Sequence, residues 1–126
     1  MVSDRAAWQP PRDACIQQGN TTQGNAAMTR TAAEIEDDRQ IRELLQNWAI
    51  WRDAGDWERF RTVWHPDGRM MATWTQGTGD EFIEISKQAW AKGVSILHFL
   101  GGISVDLAGQ RAISQTKMTI SHRDEV

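Results

Sequence analysis

From Thr31 onward, apolar residues recur at helical intervals. Ile35, Ile41, Leu44, Leu45 and Trp48 keep a 3.6-residue period, while Glu36, Asp37, Arg39 and Glu43 occupy the opposite, wet side. Thr31-Ala32-Ala33-Glu34 has the form of a capping box, in which hydroxyl and carboxylate each satisfy an amide that the first turn leaves unpaired. Gly55 supplies a stop, and Asp56 is placed to cap a short second helix on which Trp57, Phe60 and Trp64 recur at i, i+3 and i+7. His65-Pro66-Asp67-Gly68 then predicts a turn, with Pro presetting φ and Gly accepting a positive one.

The period now changes. Arg69 to Trp74 reads as a strand, and Asp80 to Lys92 as a third helix with Phe82, Ile83, Ile85, Ala89 and Trp90 apolar. Ser95 to Leu107 is strand-like but interrupted by Gly101-Gly102, which predicts a bulge or bend. Ala108-Gly109 closes a hairpin into a strand from Arg111 to His122. There Ala112, Ser114, Thr116, Met118, Ile120 and His122 share one face, and Gln115, Lys117 and Ser121 the other. Helices segregated to one side of an antiparallel sheet make an α+β fold.

Residues 1–29 stand apart. They are rich in Gln, Asn, Thr, Gly and Pro, show no period, and are expected to form a disordered tail, with Met28 a candidate start just before the first cap. Residues 30–126 form the expected domain. Because the chain stops at Val126 directly after a strand, that domain is expected to be incomplete at its C-terminus, with an apolar edge in need of a partner.

Composition narrows the function. A chain of 126 residues, 40% hydrophobic and 25% charged, suits one soluble domain. Its net charge of −3 and scattered basic residues argue against a nucleic-acid partner. A lone cysteine, Cys15, excludes an intramolecular disulfide and a Cys-based zinc site, and points to the cytoplasm by default. No apolar run approaches the roughly 18–20 residues of a membrane span, and the N-terminus lacks a secretory h-region. Seven Trp stand against no Tyr, and five of them fall between Trp48 and Trp74, where wide rigid rings either fill a core or line a pocket.

Chemistry concentrates in Leu97-His98-Phe99-Leu100-Gly101-Gly102, an imidazole inside an apolar run. Burying it is costly unless its ring nitrogens are satisfied. The candidate partner is Asp53, at the end of the first helix, in Trp51-Arg52-Asp53-Ala54-Gly55-Asp56-Trp57. A carboxylate accepting from one ring nitrogen leaves the other as a base, and would stabilise the imidazolium formed after proton abstraction. Blander readings stand beside this one. Asp53 could be a solvated charge, His98 a satisfied core histidine, and His122 an exposed residue near the chain end. His65 reads as structural. No His-x-His or His-x-x-x-His spacing points to a metal, Gly101-Gly102 leads into no helix that could bind phosphate, and no Ser or Cys sits in a nucleophile elbow.

The ordered succession Trp51-Arg52-Asp53-Ala54-Gly55-Asp56-Trp57, His65-Pro66-Asp67-Gly68, His98-Phe99-Leu100-Gly101-Gly102 and Ser121-His122-Arg123 resembles the SnoaL-like domains of the nuclear transport factor 2-like superfamily, nearest their scytalone dehydratase-like branch. The resemblance covers Ala33 to Arg123. It implies a cone-shaped half-barrel, with three N-terminal helices packed on a curved antiparallel sheet, assembled as a homodimer or homotrimer. That branch removes water from a hydroxylated polyketide ring without metal or organic cofactor. It implies His98 as general base, Asp53 as the carboxylate that orients it, and His122 as a second pocket histidine. Trp51, Trp57, Trp74, Phe99 and Met118 are the candidate contacts to a small apolar or aromatic-like substrate. The chain departs from the branch at Arg52, where the fungal dehydratase has tyrosine, and near Met71 or Ala72, where it has a second. An α+β lyase or isomerase is therefore expected, with a non-catalytic ligand-binding or assembly member of the same fold as the alternative.

Overall fold

Residues 29–123 are described by the computed structural model, and their helices and strands all lie in one compact unit, Thr31–Val126. The tail expected over residues 1–29 falls outside the described residues except for Thr29, as does the end of the chain from 124 to 126.

The first helix, α1, spans Ala32–Ala54. Its capping box is complete: Glu34 N donates to Thr31 Oγ1 at 3.1 Å, and Thr31 N donates to Glu34 Oε2 at 2.7 Å. Gly55 ends the helix at φ 71°. A Cβ there would also stand 2.8 Å from the Trp90 ring, so both conformation and space require glycine. Asp56 then caps α2, Trp57–Arg61, by accepting from Arg59 N at 3.2 Å. This helix is shorter than the spacing of Trp57, Phe60 and Trp64 predicts, and Trp64 lies in the turn beyond it.

Arg69 to Trp74 does not form one strand. Instead β1, Arg69–Met71, reverses and pairs antiparallel with β2, Gln76–Thr78. The reversal is held by Ala72 N donating to Thr75 O at 2.9 Å. It contains neither Gly nor Pro, the residues that would mark it in the sequence. Thr78 ends β2 and at once caps α3, Gly79–Ala91, through a second capping box with Glu81.

The remaining chain is a long hairpin, β3 (Ser95–Ala108) against β4 (Arg111–Arg123), turned at Gly109 with φ 60°. Gly101 and Gly102 together oppose the single residue Lys117, since Leu100 pairs with Met118 and Ile103 with Thr116. This bulge flips the alternation along β3. Before it the inward, more buried residues are Ile96, His98 and Leu100; after it they are Ile103, Val105 and Leu107. Arg42, held by Asp38, donates to Ile103 O at 2.9 Å and ties α1 to the strand just past the bulge.

Phe60, Phe82 and Ile83 form the buried core, with Trp48, Trp51, Trp57, Val63, Trp64 and Met70 packed around it. The rings meet mostly edge-on or tilted, the arrangement their quadrupoles favour. Among the described residues, two small antiparallel sheets with three helices make a mixed α+β fold. Ile35 and Leu44, expected on the apolar face of α1, are instead exposed among the described residues, as are Ile113 and Ile120 on β4.

Candidate active site

Asp53 sits in the last turn of α1, where the helix dipole disfavours a carboxylate. Two hydrogen bonds from one residue offset this. His98 donates its backbone N–H to Asp53 Oδ2 at 2.6 Å, and its Nδ1 lies 2.6 Å from Asp53 Oδ1. The carboxylate thus holds the strand and the ring together. A carboxylate accepting from Nδ1 would fix the proton of the neutral ring on Nδ1 and leave the Nε2 lone pair free. Both side chains are largely withdrawn from water, at 7% exposure for His98 and 14% for Asp53. Trp48 sets its ring edge-on to the imidazole, with centroids 5.1 Å apart at 84°.

His98 lines a cavity of about 810 Å³. Its floor is built by three periodicities. Leu45, Trp48 and Arg52 come from α1 at i, i+3 and i+7; Phe82, Ser86 and Ala89 come from α3; Ile96, His98 and Leu100 come from β3. Across the hairpin, Leu100, His98 and Ile96 pair with Met118, Ile120 and His122, and all six face the cavity. The face predicted for β4 is the one observed over Thr116 to His122. Trp74, Met118, Ile120 and His122 line the cavity while remaining exposed, so it opens to solvent on their side.

The structure brings Asp53, His98, His122, Trp74 and Met118 to one place: Asp53 stands behind the imidazole, and the other four line the wall. Three expected substrate contacts lie away from this wall. Trp51 and Trp57 pack on the Phe60–Phe82–Ile83 core and are absent from the cavity wall. Phe99 follows His98 on a strand, so alternation turns it to the far face, where it is 59% exposed.

The sequence reading missed Arg52, Ser86 and Thr116. All three line the cavity. Arg52 is only 5% exposed, and among the described residues its guanidinium has no ion pair or hydrogen bond. Burial pushes its pKa down from the usual arginine value, against the smaller opposing effect of the neighbouring Asp53 charge. The hydroxyls of Ser86 and Thr116 are buried and have no hydrogen-bond partner among the described residues. Arg52 was legible in principle, since it continues the Leu45–Trp48 stripe at helical spacing. Among the described residues no group of three or more His, Cys, Asp or Glu side chains could hold a metal ion. No helix among them is long and apolar enough to cross a membrane.

Comparison with known proteins gives this geometry a setting. Residues 33–125 match the family model described as a SnoaL-like domain. Pea pathogenicity protein 2 of Fusarium vanettenii is 37% identical over 90 residues, covering 69% of this chain and 39% of that protein. An uncharacterized protein of Aspergillus terreus is 40% identical over 87 residues, 67% of this chain and 32% of that protein. Another from Emericella nidulans is 36% identical over 87 residues, 67% of this chain and 37% of that protein. The chain therefore spans about a third to two-fifths of the length of these curated relatives.

Proposed function

The chain belongs to the SnoaL-like domain family, and on that premise we propose that it is a cofactor-independent lyase or isomerase acting on a small hydroxylated cyclic substrate of the polyketide kind. Asp53 orients His98, His98 Nε2 removes a proton from carbon, and His122 protonates the departing hydroxyl or the product. The observation that carries this reading is the 2.6 Å contact between His98 Nδ1 and Asp53 Oδ1 at the wall of an apolar cavity. An imidazole exchanges its proton near neutral pH, and a water-poor wall strengthens its attraction to the charges formed during transfer. The cavity falls within the roughly 300–1,000 Å³ typical of small-molecule sites. The cone-shaped half-barrel and the homodimeric or homotrimeric assembly implied by the family likeness belong to the same reading.

The abstraction step can be tested without the natural substrate. The protein should accelerate exchange of the α-protons of 2-tetralone, an enolisable bicyclic ketone, when followed by proton NMR in D2O. His98→Gln should lower the protein-dependent rate by about 10²-fold or more, the usual contribution of a general base, while circular dichroism shows an unchanged fold. Exchange that proceeds equally in His98→Gln would eliminate the dyad as the base. Binding of the ketone without any exchange would favour the ligand-binding alternative.

A further inference from the structure

We infer that Arg52 is the recognition group for an oxyanion, so that the cavity takes ligands with a ring-sized apolar body and one ionised oxygen group, a carboxylate or an enolate. The inference rests on the reading of the cavity as a substrate site and narrows the class of substrate. Its basis is an imbalance in the wall. The lining is almost wholly apolar, with Trp48, Trp74, Phe82, Leu100 and Met118 among its members. Into it the last turn of α1 brings a guanidinium at 5% exposure with no ion pair or hydrogen bond among the described residues. Charged side chains are rarely buried unless paired, because leaving a charge desolvated and unpartnered is among the costliest arrangements in a protein. Other arginines of this chain show the contrast. Arg39, Arg42, Arg59 and Arg61 all pair with carboxylates.

Two further groups point the same way. Ser86 and Thr116 line the cavity from α3 and β4, and among the described residues their buried hydroxyls have no hydrogen-bond partner. Each hydroxyl can donate to an oxygen acceptor. A guanidinium offers up to five donors in a planar fork, suited to two oxygens of a carboxylate or one charge-bearing enolate oxygen. A neutral hydrocarbon would leave all three groups unsatisfied. A cationic ligand would meet a like charge. An anionic oxygen on an apolar ring satisfies both halves of the wall at once.

The test uses 2-naphthoate and its neutral counterpart 2-naphthamide as probes, with binding to the intact chain followed by calorimetry at neutral pH. The wild-type protein should bind 2-naphthoate at least tenfold more tightly than the amide. Arg52→Met should abolish that preference by weakening 2-naphthoate alone, and Arg52→Lys should restore part of it, with circular dichroism confirming the fold of each. Equal binding of the two probes by wild type, no binding of either, or a preference that survives in Arg52→Met overturns the assignment. Those results leave the His98-dependent exchange of 2-tetralone untouched. Conversely, loss of the dyad reading through His98→Gln would not alter the naphthoate preference, so the two failures are separable.

Discussion

At the scale of single residues, the site is a contrast between a satisfied charge and an unsatisfied one. Asp53 has two donors from His98 at 2.6 Å and is held in a place the helix dipole disfavours. Arg52, its neighbour in sequence, is more deeply buried and has no hydrogen-bond acceptor among the described residues. A residue kept for a ligand should burden the empty protein. Arg52→Met preserves the stem and removes the desolvated charge, so it should stabilise the fold by about 1–3 kcal/mol, the range for relieving an unsatisfied buried polar group. Thermal unfolding would show this as a higher midpoint. A lower midpoint would mean that the guanidinium is structurally engaged. The opposite case lies outside the cavity, where Arg39 bridges Glu36 and Glu43 on the wet face of α1 and holds the Glu36 carboxyl down at about 2. Such exposed pairs contribute little to stability.

Among the elements, the β3 bulge sets which residues can reach the cavity. With Gly101 and Gly102 opposite Lys117, even-numbered residues face inward before it and odd-numbered ones after it. Deleting Gly102 would leave Gly101 alone opposite Lys117, with Ile103, Val105 and Leu107 still inward and every pair beyond them unchanged. That variant should therefore keep the fold and stay within about 1 kcal/mol of wild type, which chemical denaturation would measure. A loss of about 3 kcal/mol or more would show that the faces beyond the bulge had changed. The bulge was readable because paired glycines inside an apolar run have few other meanings. So were both ends of α1, the cap of α2 and the face of β4, all governed by local chemistry. The hairpin of β1 and β2 was not. Its turn carries no Gly or Pro, and three-residue strands leave little period to detect. Trp51 and Trp57 also escaped, because a ring that fills a core and a ring that lines a pocket are the same residue until packing assigns them.

For the whole molecule, what matters is that the dyad is assembled over distance. Asp53 and His98 are 45 positions apart and meet only because α1 lies along β3, with Arg42 fastening the same helix to Ile103 further up the strand. The chemistry was therefore visible in the sequence only as two candidate residues, and their pairing is a property of the fold. Arg52 shows the reverse: its place on the Leu45–Trp48 stripe was visible, but its lack of a partner among the described residues is a fact of the surroundings. The claim on which the functional account rests is that Asp53 fixes the His98 tautomer and leaves Nε2 bare toward the cavity. Nitrogen-15 NMR of the histidine-labelled protein at pH 8, with His98 assigned by its absence in His98→Gln, reads that tautomer directly. The account predicts a protonated Nδ1 and an unprotonated Nε2, with the preference lost in Asp53→Asn. A His98 ring protonated at Nε2, or one indifferent to Asp53→Asn, would contradict it.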